Sequence, residues 1–142
     1  MKKNSLASLV DKIDWLMLAP VRGNKVDQAR INVAFGMAKK DGEINRITIQ
    51  IGQEIIEEMG WNKGDRIFIY NNPNDLMVFR LIKSGTGSGW KLAYDVLRGT
   101  YKLQFTWMHK EVILKKRYSL PVEHEIHKGN ILFRVGDEAE FD

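Results

Sequence analysis

Few side chains in this sequence could take part in catalysis or bind a metal ion. The chain contains no cysteine, which excludes a thiol nucleophile, a disulfide and a Cys-ligated zinc site. Its three histidines are His109, His124 and His127, and the last two form an H-x-x-H pair in VEHEIH. On a helix this spacing could ligate a metal ion, but the segment is expected to be a strand, where positions three apart point to opposite faces. We therefore expect no metal ion and no other cofactor.

The other motifs with catalytic potential are equally weak. Glu123 and Glu125 would share one face of that strand and could act as an acid and a base, but such pairs on an exposed hairpin more often serve solubility. The glycine-rich stretch SGTGSG, residues 84–89, lacks the Lys-Ser/Thr pair and the helix of a phosphate-binding loop, so it is interpreted as a linker. No Ser-His-Asp or Cys-His arrangement can be nominated. We expect the protein not to be an enzyme.

Positive charge is concentrated in one part of the sequence. The formal net charge is +4, and residues 98–117 contain six Lys or Arg against the single acid Glu111. Residues 123–142 reverse this balance, with six acids against Lys128 and Arg134. A localised positive charge favours an acidic partner such as duplex DNA, although a solvated surface can have the same composition. The candidate nucleic-acid-binding residues are Arg30, Lys39, Lys40, Arg46, Arg98, Lys102, Lys110, Lys115, Lys116 and Arg117.

The elements that must position these residues are mainly strands. Residues 5–18 have apolar residues at helical spacing and predict an N-terminal amphipathic helix. From residue 29 the period changes to two, and KKDGE separates two alternating runs that predict a hairpin. A short helix over residues 53–59 ends at Gly60, and a second hairpin follows around NNPND. We expect a mainly β fold with short helices.

The length of 142 residues is typical of one compact domain. Residues 1–28 are expected to form the N-terminal helix and its connection, and residues 29–142 a single barrel domain. Asp11, Lys12 and Asp14 interrupt the apolar stretch that a signal sequence would need, and no segment is apolar enough to span a bilayer. A cytoplasmic protein without a membrane association is therefore expected.

The barrel domain contains a loose internal repeat. Unit one covers residues 29–83, the linker residues 84–89, unit two residues 90–136, and an acidic tail residues 137–142. Each unit has a strand, a short helix and a hairpin ending in apolar-Phe-Arg-apolar, with HKEVILKK as the helix of unit two. The spacing from Ile47 to Phe79 is 32 residues and that from Leu103 to Phe133 is 30. Such similarity in order and spacing indicates a duplication, although short β-rich segments also align by chance.

The run GQEIIEEMGWNKGD, residues 52–65, resembles the PKEIREKLGIKPGD pattern of the swapped-hairpin family, which includes the AbrB-type and SpoVT-type regulators and the MazE-type antitoxins. The matching positions are Glu54, Ile55, Gly60, Gly64 and Asp65. The resemblance implies a barrel of interleaved hairpins, which two chains usually build and which two units of this chain could build as a pseudo-dimer. The helix would cover a barrel end through Ile55, Ile56 and Met59, since a helix this short does not persist alone.

Two features depart from the family pattern. The arginine of the family helix falls on Ile56 and its proline on Gly52, and Glu57 and Glu58 would repel phosphate. Unit one is therefore expected to be a scaffold, with the DNA contacts made by the basic segment of unit two and by the first hairpin. The layout is also similar to uncharacterised small bacteriophage proteins that have GW-x-x-GD followed by G-W/Y-K-L, here GWNKGD and GWKL.

Two functions follow as hypotheses. The resemblance and the basic segment predict a DNA-binding module, which could act as a phage or bacterial regulator or as an accessory factor of DNA metabolism. The missing basic residues on unit one favour instead a protein-interaction module, such as a phage-encoded inhibitor of a host or defence protein. The partner would be duplex DNA or another acidic molecule in the first case and a host protein in the second. Either a monomer or a homodimer is compatible with the sequence.

Overall fold

The computed structural model describes residues 27–37 and 42–136. Within these ranges the chain is mainly β, as predicted, and forms two antiparallel sheets and one short helix. The strands are β1 (Ile31–Met37), β2 (Ile44–Ile51), β3 (Arg66–Asn72), β4 (Asp75–Lys83), β5 (Trp90–Lys91), β6 (Ala93–Asp95), β7 (Thr100–Thr106), β8 (Arg117–Val122), β9 (His124–His127) and β10 (Asn130–Arg134), and the helix is α1 (Gln53–Met59). The predicted N-terminal helix, Lys39, Lys40 and the acidic tail lie outside the described residues.

The first sheet has the strand order β6-β7-β2-β1-β8, and the second has the order β5-β3-β4-β10-β9. The period-two pattern explains the faces: Ile31, Val33 and Phe35 of β1 are buried, whereas the residues between them are not. The core lies between the two sheets, where Phe79 of β4 packs 6.4 Å from the ring of Phe105 in β7. Burial of one face of each sheet is thus what holds the two sheets together.

Each sheet contains strands from both sequence units. In the first sheet β2 pairs with β7, and in the second β4 pairs with β10. Ile49 lies opposite Leu103 and Phe79 opposite Phe133, and both pairs join residues 54 positions apart. All four side chains are buried, and the rings of Phe79 and Phe133 stack with centroids 5.3 Å apart. The sequence comparison matched Leu103 with Ile47, but the strand pairing places it opposite Ile49. With Ile49 as the counterpart, the separation from this residue to the buried phenylalanine is 30 positions in both units.

The predicted closed barrel is wrong for the part of the chain that the structure describes. The chain passes from one sheet to the other three times: once through α1 between β2 and β3, and twice at single-residue corners, at Leu92 between β5 and β6 and at Glu123 between β8 and β9. At the first of these corners the backbone of buried Leu92 bonds to Gly64 and Asp65 instead of continuing a ladder. The two sheets are therefore joined at corners of the chain, while their hydrogen-bonded ladders remain separate.

Helix α1 covers one end of the first sheet, as predicted. The N-cap residue of the helix, Gly52, has no side chain that could cap it. Gln28 caps the helix instead: its side-chain Oε1 accepts from the backbone N–H of Gln53 at 2.7 Å, and its backbone carbonyl accepts from the N–H of Glu54 at 3.0 Å. A Cβ at Gly52 would overlap this carbonyl. Ile55 and Ile56 are buried and Met59 is partly buried. The lid prediction is confirmed for both isoleucines and holds only in part for Met59.

The helix ends as the sequence predicts. Gly60 adopts the left-handed conformation with φ of 70°, and the N–H of Trp61 donates to the carbonyl of Ile56 at 3.1 Å. The Trp61 side chain is buried and belongs to the hydrophobic core. The backbone N–H of the apolar residue after the glycine therefore closes the helix.

The second helix predicted in HKEVILKK is wrong, since residues 107–116 form an irregular loop with one turn. The indole N–H of Trp107 donates to the carbonyl of Val112 at 3.1 Å, which takes up a backbone acceptor of the segment. His109 contacts Asn71 of β3, with Nε2 3.0 Å from Oδ1. β-Branched Val112 and Ile113 add little helix propensity. Contacts with distant strands thus fix this loop.

Candidate nucleic-acid interface

The first sheet has two dissimilar ends. Helix α1 follows β2 directly and contacts β7, so it covers the end at which β2 finishes; we name this the helix end. The loop 107–116 follows β7, which runs antiparallel to β2, and the N–H of Trp107 donates to the carbonyl of Asn45 at 2.7 Å. The loop therefore covers the opposite end, which we name the loop end.

Four of the predicted cationic residues come together at the loop end. They are Arg46, Lys110, Lys115 and Lys116, and all four are exposed. Arg46 lies opposite Thr106, the last residue of β7 before the loop. The loop ends at β8, whose Arg117 lies opposite Phe35 of β1, so it crosses the ends of the central strands. Cations separated by about half of the chain are thereby placed at the same end of the sheet.

Helix α1, at the helix end, carries the opposite charge. Its exposed helix residues include Glu54, Glu57 and Glu58. Helix α1 follows β2 as the loop follows β7, so the two segments occupy corresponding places in the two units. The only carboxylate of the loop is Glu111, which lies 3.6 Å from Nδ1 of His109. A polyanion would accordingly be attracted to the loop and repelled by α1.

Large apolar side chains are also exposed at the loop end. Ile113 and Met108 of the loop have relative exposures of 89% and 74%, Tyr118 at the start of β8 has 67%, and Met37 at the end of β1 has 53%. The Lys116 ammonium lies 5.2 Å from the centre of the Tyr118 ring. Because exposed apolar patches on soluble proteins often mark contact sites, the loop end combines two features of a binding surface.

Arg117 does not belong to this surface, and its prediction as a phosphate contact is wrong. Its side chain is 3% exposed, with Nε donating to the carbonyl of Val33 at 2.9 Å and Nη2 to that of Leu120 at 3.3 Å. The pairing of β1 and β8 shifts register between Val33 and Phe35, and the guanidinium bonds to the backbone at this irregularity. The sequence run LKKRY contains no signal of this, since all three charges look alike.

The structure places the other predicted residues away from the loop end. Arg30 precedes β1 at the helix end and lies 3.8 Å from Asp27, and Arg98 lies in the turn between β6 and β7 at the same end. Lys102 lies opposite Gln50 in the first sheet, near the helix end. The outcome for Lys39 and Lys40 is open, because they lie outside the described residues. The ten predicted cations are thus not one cluster.

A second basic surface was missed by the sequence analysis. The outward positions of β3, β4 and β5 include Arg66, Phe68, Tyr70, Arg80 and Lys91, in register across the second sheet. The Arg80 guanidinium lies 5.3 Å from the centre of the Tyr70 ring, and its Nε donates to Asn130 Oδ1 at 2.6 Å. The alternation of polar or aromatic positions with buried ones along β3 was the signal that could have found this face.

His124 and the two glutamates beside it in the sequence line an open cleft. The cleft has a volume of about 670 Å³ and is lined by residues that include Arg30, Glu123, His124, Glu125 and Arg134. His124 lies opposite Phe133 and His127 opposite Asn130, which places the two histidines on opposite faces of β9. Within residues 27–37 and 42–136, no group of three or more His, Asp or Glu side chains could hold a metal ion.

No family model, no curated protein and no solved structure matches the chain. In the described ranges no helix has the length and apolar character needed to cross a membrane.

Proposed function

We propose that the protein is a cytoplasmic DNA-binding module of swapped-hairpin type, which contacts the phosphate backbone of duplex DNA through the loop end. The observation that carries this proposal is the gathering of exposed Arg46, Lys110, Lys115 and Lys116 at one end of the first sheet, while the corresponding segment α1 carries glutamates. Such a module would serve as a regulator or as an accessory factor of DNA metabolism.

The charge arrangement explains how the module would be oriented on DNA. Cations at the loop end release counterions from the phosphates, and the acidic α1 keeps the helix end away from them. Four neutralised phosphates correspond to a slope of log K against log[salt] of about −3.6, at about −0.9 for each. Helix α1 has seven residues and an acidic first turn, so it is no base-reading helix. Binding would therefore depend little on base sequence.

The proposal includes a pseudo-dimer built from one chain. Its support is the pairing of β2 with β7 and of β4 with β10, with Ile49 and Leu103, and Phe79 and Phe133, at equal separations in the sequence. A twofold axis between each pair would relate α1 to the loop 107–116. The chain would then supply by itself the interleaved hairpins that the family builds from two subunits.

Fluorescence anisotropy with a labelled mixed-sequence duplex at several salt concentrations tests the proposal. Replacement of Lys110, Lys115 and Lys116 by Ala, with Arg117 kept, should reduce the salt slope by about 2.7, since about 0.9 is lost for each cation. The matched control replaces three exposed cations outside the loop end, Lys63, Lys91 and Arg98. Equal losses in the two triple variants would contradict a site at the loop end.

The exposed Met108 and Ile113 favour a second candidate, a protein-interaction module that binds an acidic and partly apolar surface of a host protein. The same titration separates the two functions. At roughly 50 mM salt even a weak electrostatic association with duplex DNA is detectable. If the wild-type protein does not bind duplex DNA under this condition, the protein-interaction module becomes the better proposal.

A further inference from the structure

We infer that the loop end is also the docking surface for an acidic segment of the same chain, residues 137–142, which would occupy the surface in competition with DNA. The docking surface consists of the exposed side chains of Met108, Lys110, Ile113, Lys115 and Lys116. The competition rests on the proposed function, whereas the docking itself does not.

The position at which the described chain ends makes this contact possible. The N–H of Val135 donates to the carbonyl of Met77 at 2.9 Å, so the chain leaves the second sheet beside β4. Phe79, two residues along β4, lies opposite Asn71 of β3, and Asn71 contacts His109 of the loop. The path from Val135 to Asn71 crosses two strand spacings and runs two residues along the strand, which amounts to about 12 Å. Six extended residues reach about 20 Å. Residues 137–142 can therefore reach the part of the loop around His109.

The segment and the surface are complementary in charge and in apolar character. Residues 137–142 read DEAEFD, with four acids, no cation and one aromatic residue, Phe141. The loop presents three exposed lysines and the 89% exposed side chain of Ile113, a composition that suits an acidic segment containing one large apolar side chain. The glutamates of α1 would repel the same segment.

Docking within one chain is favoured by the high effective concentration of a short tether, which is in the millimolar range. A surface that is occupied by the segment for about 70–90% of the time binds an external polyanion about three to ten times more weakly, because only the free fraction is competent. Residues 137–142 would thus set the threshold of DNA binding without changing the site itself.

Amide NMR spectra test the docking without DNA. The complete chain is compared with a chain that ends at Gly136 and with a variant in which Asp137, Glu138, Glu140 and Asp142 are changed to Asn or Gln. Both changes should shift the amides of residues 108–118 and leave those of α1 in place, and high salt should abolish the difference. In a Lys115→Glu, Lys116→Glu background, removal of the segment should no longer move the loop amides.

Three results would overturn the inference. The loop amides could stay in place when the segment is removed; the shifts could fall instead on the cleft around Arg30 and Arg134; or they could depend on protein concentration, which would place the segment on a second copy of the chain. Melting curves of each variant confirm that the fold is retained.

A duplex titration then tests the competition separately. The chain that ends at Gly136 should bind labelled duplex about three to ten times more tightly than the complete chain at the same salt concentration. Amide shifts at the loop without any duplex binding would support docking and contradict the proposed function. Duplex binding that is unchanged by removal of the segment would overturn the competition.

Discussion

Lys115, Lys116 and Arg117 are adjacent in the sequence but play different parts in the structure. The two lysines are exposed in the loop, whereas the Arg117 guanidinium is buried and bonded to two backbone carbonyls. Sequence reasoning found the charge but could not separate the three residues, because the partners of Arg117 are Val33, in a strand more than eighty residues away, and Leu120 across a local irregularity. At the scale of single residues, partners that come from distant strands remain invisible in the sequence.

Arg117→Ala should lower the free energy of unfolding by roughly 2–4 kcal/mol, because removal of the buried guanidinium leaves the carbonyls of Val33 and Leu120 without their donor. Chemical denaturation measures this value. The matched control is Lys116→Ala, an exposed change that should stay within about 0.5 kcal/mol of the wild type. Equal stabilities of the two variants would mean that Arg117 is not buried in solution.

Asp75 predicts a pH dependence. The Arg134 guanidinium, whose Nε donates to Asp75 Oδ2 at 2.9 Å, holds the pKa of this carboxyl below its ordinary value of 3.8, and the Met77 N–H acts in the same direction. The folded state thus favours the carboxylate. Its contribution to stability is complete above the ordinary pKa and disappears as the pH falls through the lowered one.

The Tm of Asp75→Asn should therefore lie below that of the wild type at neutral pH, and the difference should shrink below about pH 4. Thermal melts at a series of pH values measure it. A difference that stays constant down to the acid limit would show that another group is responsible.

At the scale of elements, α1 was predictable and its counterpart was not. The helix is determined by local signals, namely the apolar spacing of Ile55 and Met59 and the glycine stop at Gly60. The loop 107–116 has helix-compatible spacing as well, but the indole of Trp107 and the contact of His109 with β3 impose another path. The loop end was therefore only half predictable: its charges are in the sequence, and its shape depends on tertiary contacts.

Ile55→Ala should lower the free energy of unfolding by roughly 2–5 kcal/mol, the range for a large-to-small change at a buried position. Met59→Ala should cost clearly less, because Met59 is only partly buried. The exposed Glu58→Ala serves as the control on the same helix. If Ile55→Ala and Glu58→Ala unfold at the same denaturant concentration, α1 does not act as a lid.

At the scale of the whole molecule, the sequence repeat indicated two units but not how their strands are shared. Alternation of apolar residues predicted most of the long strands of the two sheets, because it is a local property. The corners at Leu92 and Glu123, where the chain changes sheets, depend on pairings between distant strands. The family resemblance predicted a barrel with one closed ladder of hydrogen bonds. The described residues instead form two separate sheets, which these two corners connect.

The sharing of strands predicts that the two units unfold together. Each sheet has strands of both units at its centre, so neither unit can keep its apolar faces covered after the other has unfolded. Two variants test this, one retaining only Trp61 and one retaining only Trp107, with the other tryptophans changed to Phe. Trp61 reports on α1 in unit one and Trp107 on the loop in unit two. In each variant, tryptophan fluorescence and far-UV circular dichroism should give the same denaturation midpoint, and separate midpoints would contradict a single shared core.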